Sequence, residues 1–281
     1  MHSVPHVLPE AVRLMEEAAV VLGLSFRLLD PEGGHLFELS DGRITRTFLG
    51  GRSPLNDAVS SRIADDKYYT ELLLRRAGFR VPQSVRCLKP GAFGAEYAGL
   101  VGLAPAQDWT RRNDFPFVVK PNRLSHGRHV QLVYDEQELV EAVRRVWEFD
   151  SIALVQTPHA GVDLRLDFLD ADYLVGYTRT PAAGASDRES LILNLTLGAR
   201  AEPLPSISGD WHAHGLAVGR ALGLRYFGID FKAPSVDADP ADATVIEVNS
   251  SPLFVQMALQ GHRPAALAAQ TRVLAAVWGL S

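Results

Sequence analysis

Hydrophobic residues recur every three or four positions near the start of the chain and then alternate with polar residues. Val12, Met15, Ala19 and Leu22 follow the first pattern, which predicts an amphipathic helix that stops at Gly23. Three short segments come next and have the alternation and the flanking turn residues of β-strands. They are SFRLLD, GHLFELS and RITRTFL. The opening residues therefore predict a small α/β lobe.

Beyond this lobe, helix and strand patterns mix without strict alternation. Asp66, Asp135 and Asp210 are predicted to cap three helices, the last of which ends at Gly223, and Pro264 to Trp278 is predicted as a closing helix. The predicted strands are SVRCL, FPFVVKP, HVQLVY, SIALVQ, DLRLDFLD, YLVGYTR, RYFGIDFK and TVIEV. This mixture favours an α+β fold, built of α/β lobes, over a single doubly wound sheet.

Composition narrows the class of protein. The chain has 281 residues, is 47% hydrophobic and 22% charged, and carries a formal net charge of −5, so it offers no cationic footprint for nucleic acid. Its single cysteine, Cys87, excludes an internal disulfide framework and a multi-cysteine metal site. Neither a secretory signal nor a bilayer-length apolar stretch is visible, so we expect a cytoplasmic protein with no membrane partner.

Several familiar active-site motifs are absent from the sequence. It contains no GxxxxGK[ST], no GxGxxG after a strand, no HExxH and no GxSxG. If the protein binds a nucleotide, it must therefore do so without a P-loop or a Rossmann fingerprint.

Oxygen-bearing side chains interrupt three apolar strands. Glu247 and Asn249 are two residues apart and share a strand face, and Asp230 lies on a strand that could be their neighbour. Two carboxylates and an amide suit Mg²⁺, although solvated acidic residues on half-exposed strands are the alternative. Apolar surroundings favour the metal, because a charge there needs a partner. Asp163 and Arg165 also share a face, where a surface ion pair is the alternative to a role in a site.

A lysine ends the strand VVK just before a polar loop. Lys120 is followed by residues 122–129, which include Ser125, His126 and Gly127. The backbone N–H groups, hydroxyl and cationic side chains of such a loop can bind phosphate oxygens. The alternative is an ordinary strand end whose lysine faces solvent.

Short motifs follow one another in a particular order between about Asp65 and Pro252. They are Asp66-Lys67, AGFRVP, VVKP with its Ser-His-Gly-Arg loop, Gly161-x-Asp163-x-Arg165, Arg179-x-Pro181-Ala182, GID and EVNSSP. This ordered set resembles the ATP-grasp superfamily. It is most similar to the ATP-grasp module of cyanophycin synthetase and of bifunctional glutathione synthetase, and also to ribosomal-S6-type and LysW-linked ligases.

The resemblance implies an ATP-grasp fold of two α+β subdomains that clasp ATP behind an abbreviated N-terminal lobe. Residues 1–64 would form that lobe and residues 65–281 the ATP-grasp domain. Within it, residues 65–157 would form the first subdomain with the phosphate loop, and residues 158–281 the second subdomain with the metal site.

The resemblance also implies roles for individual residues. ATP would be bound by Lys67, Lys120, Ser125, His126, Gly127, Gln156, Thr157 and Asp163. Two Mg²⁺ ions, with Mn²⁺ as a substitute, would be bound by Asp230, Glu247 and Asn249. The γ-phosphoryl group and the reaction centre would be served by Arg165, Arg179 and Asn194.

The activity implied is that of an ATP-dependent carboxylate–amine ligase. It would form an amide or peptide bond through an acyl phosphate and release ADP and phosphate, with small amino acids or peptides as substrates, in a homodimer or tetramer. An ATP-grasp kinase and a nucleotide-binding regulatory protein without turnover remain as alternatives. Leu253 and Phe254 follow Pro252 where the superfamily usually has glycine, which bears on the acceptor site.

Overall fold

The computed structural model describes residues 8–124, 127–182, 184 and 199–280. Within these residues the strands form three sheets, of three, four and five strands, and every strand pairing in them is antiparallel. Helices cover the sheets, so the predicted α+β class is confirmed. No helix in the described ranges is both long enough and apolar enough to cross a bilayer.

The first sheet belongs to the N-terminal lobe, whose elements are those predicted. They are α1 (Glu10–Val21), β1 (Ser25–Leu28), β2 (Leu36–Ser40) and β3 (Thr45–Leu49), with the strands in the order β1-β2-β3. The last helix of the chain, α7 (Arg263–Trp278), shares a hydrophobic core with α1. Arg263 forms ion pairs with Glu10 and Glu17, the latter at 2.5 Å. The start and the end of the described chain are therefore packed together.

The second sheet consists of β4 (Ser84–Leu88), β5 (Phe117–Pro121), β6 (Gln131–Val133) and β7 (Ile152–Gln156). Its strands lie in the order β4-β7-β5-β6. Two helices, α4 (Ala104–Thr110) and α5 (Glu136–Val146), cover it around a core that includes Phe117 and Val143. Asp135 caps α5 as predicted, because its side chain accepts from the Glu138 N–H at 2.8 Å.

The third sheet consists of β8 (Val162–Leu169), β9 (Asp172–Thr180), β10 (Arg200–Leu204), β11 (Tyr226–Ala233) and β12 (Thr244–Asn249). Its strands lie in the order β10-β9-β8-β11-β12. The helix α6 (Gly209–Leu222) lies on this sheet. A Cβ atom on Gly215 would lie 2.3 Å from the Phe168 ring, and one on Gly219 would lie 2.1 Å from the Phe227 ring. These two glycines therefore allow the helix to approach the sheet closely.

The predicted cap of α6 is wrong by two residues. Ser208 has extended dihedrals, and its hydroxyl accepts from the Trp211 N–H at 3.3 Å, whereas Asp210 lies inside the first turn. A carboxylate in that turn still interacts favourably with the positive end of the helix dipole. An acidic residue in the first turn can thus be mistaken for the cap itself.

Two short helices connect the lobe to the larger sheets. The predicted helix α3 (Lys67–Arg76) is capped by Asp66, whose side chain accepts from the Tyr69 N–H at 3.1 Å. The preceding helix α2 (Ala58–Ala64), capped by Asp57, was not predicted. Both helices contribute to the hydrophobic core around α6. The division at residues 64 and 157 stays a prediction.

Candidate active site

A cavity of about 650 Å³ is lined by residues of all three sheets and of the loops beside them. It is lined by every predicted site residue that the structure describes, namely Lys67, Lys120, Gly127, Gln156, Thr157, Asp163, Arg165, Arg179, Asp230, Glu247 and Asn249. Ser125, His126 and Asn194 lie outside the described residues. Residues from distant parts of the sequence thus meet in one cavity, and their individual roles stay predictions.

The three predicted metal ligands lie together on β11 and β12. Asp230 is the register partner of Glu247, and Asn249, two residues further on, donates from Nδ2 to Asp230 Oδ2 at 3.3 Å. Antiparallel pairing places these side chains on one face, which contributes to the cavity wall. No cluster of three or more His, Cys, Asp or Glu side chains with metal-binding geometry occurs in the described part of the chain. A metal ion here would therefore need the Asn249 amide and ligand oxygens in addition to the two carboxylates.

Arginines on β8 and β9 are held by carboxylates from the same and neighbouring strands. Arg165 lies 2.6 Å from Asp167 and 3.0 Å from Asp230, and Arg179 lies 2.8 Å from Asp163 and also pairs with Asp230. Lys232 completes the group at 2.8 Å from Asp163. We refer to these six residues as the paired network. Asp163 and Arg165 thus belong to a buried network and do not form the surface ion pair considered above.

The backbone of β11 makes room for this network at one position. A Cβ atom on Gly228 would lie 2.0 Å from Asp167 Oδ1 and 2.2 Å from Arg165 Nη2. The guanidinium and its carboxylate partner can therefore pack directly over the strand only because residue 228 has no side chain.

The paired network also sets the ionisation of its carboxylates. Burial raises the pKa of Asp230, but Arg165 and Arg179 outweigh that effect, and its pKa lies below the ordinary value. Burial dominates at Asp167, whose pKa is raised despite the adjacent Arg165. Asp230, one of the three predicted metal ligands, is therefore kept charged by its two arginine partners.

Two lysines, Lys67 on α3 and Lys120 on β5, also line the cavity. Lys120, near the end of β5, is only 5% exposed, so it does not face solvent as the alternative would require. Burial and then the neighbouring Lys67 lower its pKa, and Glu71, Glu247 and Asp230 oppose this shift. Lys67 Nζ donates to the Leu124 carbonyl at 2.6 Å and lies 3.6 Å from Glu247 Oε1. The two lysines therefore repel each other and are only partly compensated.

A buried glutamate behind these lysines was missed in the sequence. Glu71, on α3, accepts hydrogen bonds from the Ser84 hydroxyl and the Gln156 amide. Burial raises its pKa, whereas Lys120 acts in the opposite direction. The sequence gives no signal for this residue, since glutamate is common on helices and only tertiary structure brings it to β4 and β7.

The connection from β7 to the third sheet forms another wall of the cavity. The Thr157 N–H donates to the Gln83 carbonyl at 3.0 Å, and the Thr157 hydroxyl lies 3.2 Å from His159 Nε2. His159 Nδ1 lies 3.4 Å from the Thr244 hydroxyl on β12. Burial, followed by the charge of Arg80, lowers the pKa of His159 and so favours the neutral ring. This segment therefore joins the two sheets on either side of the cavity.

The N-terminal lobe supplies a wall that sequence reasoning did not anticipate. His35 and residues 49–52 line the cavity beside residues 251–253. Leu253 is 43% exposed and packs against Gly51, whereas Phe254 is buried beside Tyr226. The departure from the usual glycine after Pro252 thus provides one contact with the lobe and one core residue. Its effect on an acceptor stays a prediction.

Asn56 fastens the lobe to the strands that carry the predicted metal ligands. Its Nδ2 donates to the carbonyls of Tyr226 and Ser250 at 2.6 and 2.7 Å. Its Oδ1 accepts from the N–H groups of Arg225 and Tyr226 at 2.8 and 3.1 Å. One side chain therefore links the segment before α2 to the start of β11 and the residue after β12.

The chain is similar to known proteins in both sequence and structure. No protein-family model matches the chain. A D-alanine–D-alanine ligase from Bacillus anthracis is 27% identical over 173 residues, which cover 61% of this chain and 51% of that protein. The chain therefore spans about half the length of this curated relative.

Two solved structures extend the comparison to the fold. The D-alanine–D-alanine ligase of Bacillus anthracis superposes with a TM-score of 0.59 at 22% identity, over 80% of this chain and 69% of that one. A bifunctional glutathione synthetase from Pasteurella multocida superposes with a TM-score of 0.61 at 16% identity, over 96% of this chain and 43% of that one. The resemblance seen in the sequence is thus confirmed: the chain has the ATP-grasp fold and is similar in sequence to ligases.

Proposed function

We propose that this protein is an ATP-dependent ligase that joins a carboxylate to an amine through an acyl phosphate. The observation that carries the proposal is the charge of the cavity. Its described lining contains six Lys or Arg side chains and four Asp or Glu side chains, whereas the chain as a whole has a formal net charge of −5. A cationic cavity in an acidic protein suits a triphosphate and the anions formed from it.

The proposed reaction has two steps. A carboxylate oxygen of the first substrate attacks the γ-phosphorus of ATP, and ADP leaves. The nitrogen of the amine then attacks the acyl carbon, phosphate leaves, and the nitrogen loses a proton as the amide forms. Both steps concentrate negative charge, so the protein acts by positioning and by electrostatic stabilisation. No nucleophilic side chain is required.

The residues of the cavity fit this division of work. Lys67 and Lys120 would contact the phosphates, because they are incompletely paired cations. Arg165 and Arg179 would face the transferred phosphoryl group from a fixed position in the paired network. Residues 156–158 would hold the adenine, and Asp163 would accept from the ribose hydroxyls, since each carboxylate oxygen has more than one lone pair.

The predicted metal ligands fit Mg²⁺ by the chemistry of their donor atoms. Asp230, Glu247 and Asn249 present hard oxygen ligands on one face of adjacent strands. Arg165 and Arg179 already occupy oxygens of Asp230, so Glu247 and Asn249 are the less committed ligands. When bound, Mg²⁺ would neutralise phosphate charge and polarise the γ-phosphoryl group.

The relatives support an amino acid or peptide as substrate. The matching proteins include D-alanine–D-alanine ligases and an α-aminoadipate–LysW ligase. A D-alanine–D-alanine ligase of this fold has been solved as a complex with ATP. We therefore extend ATP use and amide-bond formation to this chain as part of the proposal.

One assay tests the reaction. The purified protein is incubated with ATP, Mg²⁺ and pooled amino acids, and ADP, phosphate and AMP are measured. A ligase releases ADP together with phosphate only when both a carboxylate and an amine are present. ADP without free phosphate would indicate a kinase, and no turnover with any pool would indicate a nucleotide-binding protein.

The metal assignment predicts a loss of activity in Glu247→Gln. The substitution keeps the shape of the side chain and removes the charge that a divalent cation needs, so we expect ADP release to fall by about a hundredfold or more. Glu202→Gln, on the exposed side of β10, is the matched control and should keep full activity. A fully active Glu247→Gln protein would refute this assignment.

A further inference from the structure

We propose that Arg52 binds a carboxylate that the substrate carries in addition to the carboxyl group that is activated. The substrate at the lobe end of the cavity would then be an acidic amino acid. The inference rests on the proposed ligase function and names the substrate class of the same cavity.

Arg52 differs from the other cations that line the cavity. Arg165, Arg179 and Lys232 each lie within 3.0 Å of a carboxylate oxygen, and Lys67 lies 3.6 Å from one. Lys120 is buried and interacts with Glu71 and Glu247. The Arg52 side chain, by contrast, has no ion pair and no hydrogen bond with any described residue. It is therefore available to an anion that enters the cavity.

The backbone that carries Arg52 is well held. The Arg52 N–H donates to the Leu49 carbonyl at 3.2 Å, and the Gly50 N–H donates to the His35 carbonyl at 2.7 Å. A Cβ atom on Gly51 would lie 2.1 Å from Leu253 Cδ2, so the turn packs directly on the residue that follows Pro252. The Ser251 hydroxyl lies 3.4 Å from the Gly51 carbonyl. An anion bound by Arg52 would thus be held from a fixed turn of the lobe.

The turn borders the same cavity as the predicted metal ligands. Ser251, which contacts the turn, is four residues after Glu247, and both residues line the cavity with Asn249 and Arg52. An extended backbone spans at most about 14 Å over four residues, which is an upper bound on the separation of the Glu247 and Ser251 backbones. A substrate whose reacting carboxyl group lay near Asn249 would therefore present its second group toward the lobe, where Arg52 lies.

The chemistry of the guanidinium selects a carboxylate as that group. Arginine presents a planar fork of N–H donors that matches two carboxylate oxygens. Phosphate would match equally well, but Lys67 and Lys120, on the second-sheet side of the cavity, are proposed for the ATP phosphates. The aliphatic wall around Arg52, with Ala11, Leu49 and Leu253, suits the hydrocarbon part of an amino acid.

Matched pairs of amino acids test this proposal by binding. L-glutamate and L-glutamine, and L-aspartate and L-asparagine, are titrated into the full chain by calorimetry, with Mg²⁺ and with or without a non-hydrolysable ATP analogue. We expect the acid of at least one pair to bind about tenfold to a hundredfold more tightly than its amide, as one charge-assisted hydrogen-bonded pair predicts. Arg52→Gln should remove that preference, and Arg52→Lys should restore part of it.

Control variants and a second readout separate the possible outcomes. Arg43→Gln changes an exposed arginine of the β2–β3 turn that does not line the cavity, and it should keep the preference. Equal affinities within both pairs, no binding by any of the four, or a preference that survives in Arg52→Gln would overturn the role of Arg52. ADP release, measured on the same preparations, tests the ligase reaction separately, because a protein that selects the acid and releases no ADP refutes only the reaction.

Discussion

The two larger sheets both contribute cations to one cavity, but they stabilise them in different ways. On the five-stranded sheet, three cations, Arg165, Arg179 and Lys232, pair with three carboxylates, those of Asp163, Asp167 and Asp230, so the charges are nearly balanced before any ligand binds. On the four-stranded sheet, Lys120 is buried next to a second lysine and has a lowered pKa. The first arrangement fixes the positions of the arginines, and the second leaves a buried positive charge only partly compensated.

The difference follows from the local structure. Antiparallel strands place oppositely charged residues across from one another at fixed register, as at Asp163 and Arg179 or at Asp230 and Arg165. Lys120 is the register partner of Leu154, which carries no charge. Its charged neighbours therefore come from other elements, among them α3 and β12. A buried charge of this kind is costly unless a ligand compensates it. We therefore expect the two sheets to respond differently when a cation is removed.

The largest effect is expected from Arg165→Ala, which should lower the stability of the folded protein. The substitution deprives the buried carboxylates of Asp167 and Asp230 of the guanidinium that pairs with them. The free energy of unfolding should therefore fall by about 3–5 kcal/mol. Chemical denaturation monitored by circular dichroism measures this change. Arg225→Ala, which breaks the exposed 2.7 Å pair with Asp170, is the control and should cost less than about 1 kcal/mol because solvent screens it. Equal losses in the two variants would contradict the structural role given to the paired network.

Lys120→Met should affect activity without a comparable loss of stability. Methionine keeps the apolar stem and removes the charge, so ATP-dependent turnover should fall by about a hundredfold to a thousandfold, the size expected for one lost electrostatic contact in a transition state. The free energy of unfolding should stay within about 1 kcal/mol of the original, because the substitution also removes the burial cost of the charge and its repulsion by Lys67, which offsets the lost interaction with Glu71.

Lys89→Met is the matched control for that variant. Lys89 is exposed and donates to the Trp147 carbonyl at 2.7 Å, away from the cavity. It should keep full turnover. A Lys120→Met protein that turns over normally would show that the unbalanced charge has no part in the reaction.

The smallest effect concerns the coupling between ATP binding and protons. Phosphate favours the charged form of Lys120, so its pKa, which lies below the ordinary 10.5 in the free protein, rises when ATP binds. At a pH near or above the free-state pKa, binding then takes up protons, and affinity falls as the pH rises through that pKa, by at most about tenfold per pH unit for this group. Calorimetry in buffers of different ionisation enthalpy measures the uptake, which should disappear in Lys120→Met.

Much of the fold was predictable, because strand alternation and helix periodicity are local. The lobe elements, the Asp66 and Asp135 caps and the common face of Glu247 and Asn249 all follow from residues close together in sequence. Helix α2 was missed because its seven residues make only about two turns, too few for a helical period to be detected in the sequence. Ser208 was missed because the acidic Asp210 gave a competing cap signal.

Strand patterns alone indicated Asp230, Glu247, Asn249 and Lys120, whereas the other site residues needed the order of motifs that the resemblance supplied. Strands, helix α3 and loops together bring the described ones to one cavity. Glu71 and Arg52 gave no such signal, since both lie outside these motifs and only folding brings Glu71 to Gln156 and Arg52 to the cavity. Lys232 was overlooked although it shares parity with Asp230, because nothing in its own strand indicated Asp163 as its partner.

The four hydrogen bonds of Asn56 have a consequence for protein engineering. An attempt to change substrate choice by grafting the lobe of another protein would assume that the junction can be placed in the segment before α2 without consequence. This asparagine instead bridges the start of β11 and the residue after β12, so a graft that omitted it would release that end of the strand pair bearing Asp230 and Glu247. A successful chimera should therefore be cut before Asn56, leaving it with the recipient.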